Sequence, residues 1–97
     1  MKHNIIKINN FNVSNDLPFF LIAGPCSIES KDHAIDHAGK IDEICRQLNI
    51  KFVYKSSFDK ANRSSSLSSR GVGIDQGLNI LSDVKKTFNI PLITDVH

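Results

Sequence analysis

From residue 55 to residue 65 the chain reads Lys55-Ser56-Ser57-Phe58-Asp59-Lys60-Ala61-Asn62-Arg63-Ser64-Ser65, three cations interleaved with amide and hydroxyl donors. Phosphate and carboxylate groups need that mixture, because charge offsets charge while directional donors fix orientation. A planar guanidinium such as that of Arg63 can grip a phosphate through two parallel hydrogen bonds, whereas Lys55 and Lys60 act as point charges. Isolated lysines and arginines are mostly solvated surface, so the run gains meaning only from its surroundings. Those include Cys26, Ser27 and Glu29 in the turn Gly24-Pro25-Cys26-Ser27-Ile28-Glu29-Ser30, and Asp95 and His97 at the end of the chain.

The elements that would position these groups follow from periodicity. Residues 4–13 alternate apolar and polar around Asn9-Asn10, which predicts a short β-hairpin. Residues 19–23 form an apolar run ended by Gly24-Pro25, suited to a strand buried on both faces. A helix follows with Ser30 as N-cap, and Ala34, Ala38, Ile41, Cys45 and Leu48 make one apolar stripe along it. A second strand is predicted over 52–55, a polar loop over 56–73, a second helix over 74–88 and a third strand over 91–96. Strands alternating with helices predict parallel pairing, in either an open doubly wound sheet or a closed barrel. The first turn lacks the G-x-G-x-x-G of a dinucleotide site.

In both architectures functional groups gather at the carboxyl ends of the strands, where the unusual residues fall. Alternation places Val53, Lys55 and Ser57 on one side of the second strand, and Ile93, Asp95 and His97 on one side of the third. A lysine and an aspartate facing an apolar interior are costly, but they suit a pocket for anions and hydroxyls. Cys45 lies in an apolar stripe and reads as core, while Cys26 reads either as a small packed side chain or as a metal ligand. His33 and His37 stand four apart on a helix, a spacing open to a metal pair and to a solvated face.

Composition narrows the classes. The 97 residues suit one domain, and 40% apolar with 23% charged residues is ordinary for a soluble globular chain. A net charge of +2 gives no general case for nucleic acid or an anionic membrane. An RNA-binding reading of Lys55, Lys60, Arg63 and Arg70 lacks stacking aromatics apart from Phe58. The longest apolar stretch, 17–25, falls far short of the ~20 residues a membrane span needs. The expectation is a cytoplasmic protein with reduced thiols.

The stretch 52–65, the turn 24–30, the segment 15–19 and the end Ile93-Thr94-Asp95-Val96-His97 together resemble the 3-deoxy-D-manno-octulosonate 8-phosphate synthases. The likeness covers the whole chain, and Lys60-Ala61-Asn62-Arg63-Ser64-Ser65 is its most specific part. The related heptulosonate-phosphate synthases share the Gly-Pro-Cys turn but carry a Lys-Pro-Arg-Thr type of loop. The resemblance implies an α/β fold of the (β/α)8-barrel family, with residues 1–14 as an N-terminal hairpin and 15–97 as the first βα units.

It implies a transferase that condenses phosphoenolpyruvate with arabinose 5-phosphate and water in the Kdo branch of lipopolysaccharide biosynthesis. Lys55 and Lys60 would meet phosphoenolpyruvate, and Ser57 would lie in the substrate site. Asn62, Arg63 and Ser64 would hold the sugar phosphate, and Asp95 its hydroxyls, with Lys60 and Asp95 closest to the chemistry. Cys26 would be a ligand to a divalent ion such as zinc, manganese or iron, because it matches the metal-dependent class. A homotetramer is implied for the whole enzyme. A barrel of this kind takes ~250 residues, so these 97 are expected to be inactive alone. A truncated non-enzymatic remnant, a split-enzyme subunit and the related 3-deoxy-heptulosonate-phosphate synthase are the alternatives.

Overall fold

A computed structural model describes residues 4–58 and 72–96. The hairpin is present as β1 (Ile6–Ile8) paired antiparallel with β2 (Phe11–Val13), and Asn9 takes the left-handed conformation at its turn, φ 53°. Asparagine is among the few residues other than glycine that enter this region readily.

The remaining elements run β3 (Phe20–Ala23), α1 (Lys31–Gln47), β4 (Lys51–Lys55), α2 (Ile74–Phe88) and β5 (Leu92–Ile93). The three strands form one parallel sheet in the order β3-β4-β5. The chain is thus a mixed α/β fold with helices between parallel strands. α1 begins where the sequence requires: Ser30 is extended, and its hydroxyl accepts from the His33 amide at 3.1 Å. Asn89 ends α2 in the left-handed conformation, its amide returning to the Lys85 carbonyl.

Both helices pack on one sheet face. Ala34, Ala38 and Cys45 of α1 meet Ile80, Leu81 and Val84 of α2 in a core that includes Phe52 and Tyr54, with Leu21, Ala23 and Leu92 packed against it. All of these strand residues lie on one side, as period-two alternation demands. On the other side Ile22 is 47% exposed and Ile93 46%.

Three expectations need correction. Leu48 is the C-cap of α1 and 63% exposed, so it does not complete the apolar stripe. The first strand is not buried on both faces: Phe19 precedes β3 and is 73% exposed. Only β4, flanked by strands on both sides, is buried at three successive residues, Phe52, Val53 and Tyr54. The third strand also stops at Ile93 rather than Val96, and beyond it a side-chain bond replaces the ladder: the Thr94 hydroxyl donates to the Ser56 carbonyl at 2.8 Å.

The core carries two titratable groups. Burial pushes the Cys45 thiol up, with the Asp42 carboxylate adding to the effect. Burial also pushes the Tyr54 hydroxyl up, while the neighbouring Ser56 side chain opposes it. The Ser56 proton is committed to the Pro25 carbonyl, and Tyr54 Oη makes no well-directed hydrogen bond among the described residues.

Both groups are neutral when protonated, and folding favours that form. Their stabilisation is complete below the unfolded values of ~8.5 and ~10, and is lost as pH rises through the higher folded ones. Stability should therefore fall at alkaline pH, above about 9. Tyr54→Phe should remove part of that fall, and denaturant titrations from neutral to alkaline pH measure both. An identical alkaline slope in Tyr54→Phe and the unmodified protein would contradict the assignment.

Candidate active site at the carboxyl end of the sheet

The site is built where two parallel strands turn outward. A Cβ on Gly24 would overlap the Lys55 carbonyl oxygen, so β3 and β4 can approach this closely only with glycine there. After Pro25 and Cys26 the turn rejoins β4, pairing Ser27 with Ser57, and the Ile28 amide donates to the Ser57 carbonyl at 2.8 Å. The Ser57 amide reaches back to the Cys26 carbonyl at 3.4 Å. Ile28 is fully buried beneath the turn and anchors it to the core.

These contacts leave a cleft of about 220 Å³ lined by Gly24, Pro25, Cys26, Lys55, Ser56 and Ser57, together with the end of β3. Cys26 and Lys55 are exposed, whereas Ser57 is buried. The structure therefore joins three of the residues singled out from sequence. A larger hollow of about 300 Å³ lies at the opposite end, between the hairpin, the helix C-termini and the start of β4. Parallel sheets place their chemistry at the carboxyl ends of strands, so we assign the smaller cleft.

Asp95 is half-buried and follows Thr94, which is bonded to the cleft strand through Ser56. Lys60, Asn62, Arg63 and Ser64 lie outside the described residues, as does His97. The described residues bracketing 59–71 are tied together: the Gly73 amide donates to the Phe58 carbonyl at 3.1 Å, and a Cβ on Gly77 would overlap Phe58.

Cys26 is a free, exposed thiol among the described residues. It fits one position of a metal's donor set, since thiolate suits zinc and similar ions. No group of three His, Cys, Asp or Glu residues gathers among the described residues. The His33–His37 pair is engaged differently. The rings lie tilted by 41° with centroids 4.1 Å apart, His37 Nδ1 lies 2.8 Å from the His33 carbonyl, and His33 Nε2 lies 3.1 Å from Glu29. A carbonyl only accepts, so Nδ1 of His37 carries its proton and is not available to a metal.

Sequence reasoning missed Ser56 and Thr94. Ser56 is 1% exposed, its hydroxyl donating to the Pro25 carbonyl at 2.7 Å and its carbonyl accepting from Thr94. The available signal was a serine at a position whose parity directs it, like Tyr54, toward the core.

Residues 4–97 match the DAHP synthetase I family, and the chain belongs to that family. Its relatives include a 2-dehydro-3-deoxyphosphooctonate aldolase from Francisella tularensis subsp. novicida, 62% identical over 92 residues, which are 95% of this chain and 34% of that protein. A protein of the same name from Rickettsia peacockii is 57% identical over 93 residues, 96% of this chain and again 34% of the relative. The chain thus spans about a third of the length of the curated relatives it matches.

Gly24 offers a direct test of the site's construction. Gly24→Ala should destabilise the protein by about 1–3 kcal/mol, the usual cost of an overpacked position. Gly39→Ala should stay within about 1 kcal/mol, because helix propensity favours alanine and its Cβ would meet only the Phe88 ring edge at 3.1 Å. Thermal melting compares the two. A Gly24→Ala protein as stable as the parent would refute the close approach.

Proposed function

We propose that this chain forms the hairpin (residues 1–14) and first βα units (15–97) of a (β/α)8 barrel whose complete protein makes 3-deoxy-D-manno-octulosonate 8-phosphate. The observation that carries the reading is the convergence of Cys26, Lys55 and Ser57 on one cleft at the carboxyl end of a parallel sheet. The names of the relatives support it, as does the Lys60-Ala61-Asn62-Arg63-Ser64 run that follows Lys55 and Ser57 in the sequence. No helix among the described residues is long and apolar enough to cross a membrane. A homotetramer in the cytoplasm, where thiols stay reduced, completes the proposal.

In the proposed reaction, C3 of phosphoenolpyruvate forms a bond to the aldehyde carbon of arabinose 5-phosphate, using the electron pair of the enol double bond. The aldehyde oxygen takes a proton and becomes a hydroxyl. Water adds at C2 and phosphate leaves with cleavage of its C–O bond, so the water oxygen remains as the ketone. Lys55 and Lys60 offset the charge of phosphoenolpyruvate, and a lysine at a cleft wall keeps that role without being buried unpaired. Ser57 supplies a hydroxyl on the same wall. Asn62, Arg63 and Ser64 hold the sugar phosphate, with Arg63 and Ser64 toward its phosphoryl group, and Asp95 accepts from the sugar hydroxyls. Cys26 is proposed as one ligand of a divalent ion (zinc, manganese or iron), which when bound supplies Lewis-acid neutralisation of developing charge.

Phosphate release by the complete protein, measured with phosphoenolpyruvate and each candidate sugar phosphate, tests the reading. Arabinose 5-phosphate should be turned over in preference to the four-carbon sugar phosphate that a heptulosonate product requires. Arg63→Ala should raise KM for arabinose 5-phosphate about tenfold to a hundredfold, the loss expected for a charge-assisted contact, with KM for phosphoenolpyruvate little changed. Cys26→Ser should weaken metal binding, since a hydroxyl is a far poorer ligand than a thiolate. Unchanged sugar-phosphate KM in Arg63→Ala would remove the loop from the site.

A further inference from the structure

We propose that Ser56 and Thr94 form a positioning relay that fixes the Cys26 turn and Asp95 relative to Lys55 and Ser57. The proposal rests on the functional reading above and adds residues to which that reading gives no role.

The ladder hydrogen bonds of the sheet end just where the candidate site begins. On one side the register of β3 with β4 ends at Ala23 and Tyr54, and pairing resumes only at the isolated Ser27–Ser57 bridge. On the other side the pairing of β4 with β5 ends at Lys55 and Ile93. Ser56 spans both gaps. Its hydroxyl donates to the carbonyl of Pro25, and its own carbonyl accepts from the Thr94 hydroxyl, at 2.7 Å and 2.8 Å. Pro25 immediately precedes Cys26, Thr94 immediately precedes Asp95, and Ser56 stands between Lys55 and Ser57. Four candidate functional residues on three chain segments are therefore each one peptide unit from this chain of hydroxyls.

Packing alone does not explain a serine at this place. Ser56 is 1% exposed and sits beside the buried Tyr54, so an apolar residue of similar size would fill the space without a hydroxyl to satisfy. What the hydroxyl adds is direction: it holds the Pro25 carbonyl where the turn has left the ladder and where backbone amides of β4 no longer reach. Thr94 does the same for β5. Misplacement of reacting groups by about 1 Å can cost a hundredfold in rate, so two such bonds at the strand ends bear on turnover out of proportion to their part in stability.

Two variants of the complete protein separate positioning from support. Thr94→Val keeps the shape and removes the donor; Thr94→Ser keeps the donor. We expect Thr94→Val to lower kcat about tenfold to a hundredfold, with a melting temperature close to the parent's, and Thr94→Ser to restore most of the rate. A parental kcat in Thr94→Val, or an equal loss in Val and Ser, would overturn the relay.

Hydrogen exchange in Ser56→Ala reads the same tie without substrate. The amides of Ile28 and Ser57 should exchange at least several-fold faster, while those of Phe52, Val53 and Tyr54 keep their protection. Uniform loss of protection across β4, or none at Ile28 and Ser57, would count against it. If the unmodified protein fails to turn over the two substrates, the functional reading falls and the exchange measurement still decides the relay.

Discussion

Parallel strands are held by a ladder of backbone bonds, yet the groups that do chemistry stand where the ladder has run out. In this chain the problem is solved by a close backbone approach. The Lys55 carbonyl occupies the space a side chain on residue 24 would need, which brings β3 and β4 together at their last residues. Everything described at the site depends on that contact. The turn through Cys26 starts from it, the Ser27–Ser57 bridge closes it, and Ile28 seals it from below. The cleft is what remains on its open side.

The helices serve this arrangement from the other face. Their shared core grips alternate residues of each strand and leaves the opposite sheet face to Ile22, Lys55 and Ile93. Gly77 lets α2 press against Phe58, and the Gly73 amide ties the same residue.

Much of this was legible in the residues. The bounds of α2 and the Ser30 cap follow from apolar spacing and local hydrogen bonding, which depend on near neighbours in sequence. The grouping of Cys26, Lys55 and Ser57 follows from strand parity and the rule that parallel sheets work at their carboxyl ends. The exposure of Phe19 and the early end of β5 were not legible, because both depend on what lies beside a strand rather than on the strand itself. Ser56 and Thr94 escaped notice for another reason. They carry no charge, and their importance lies in partners 31 and 38 residues distant.

The central claim is that the cleft between Cys26 and Lys55 receives phosphoenolpyruvate, and the two cysteines permit a direct measurement. Cys26 is exposed on the cleft, whereas Cys45 is buried, and burial with the nearby Asp42 carboxylate pushes its thiol up. Iodoacetamide labelling of the chelator-treated protein, quantified for each cysteine by mass spectrometry, should modify Cys26 and spare Cys45. Saturating phosphoenolpyruvate should slow the Cys26 reaction several-fold. Cys26 labelling at one rate with and without phosphoenolpyruvate would contradict the account.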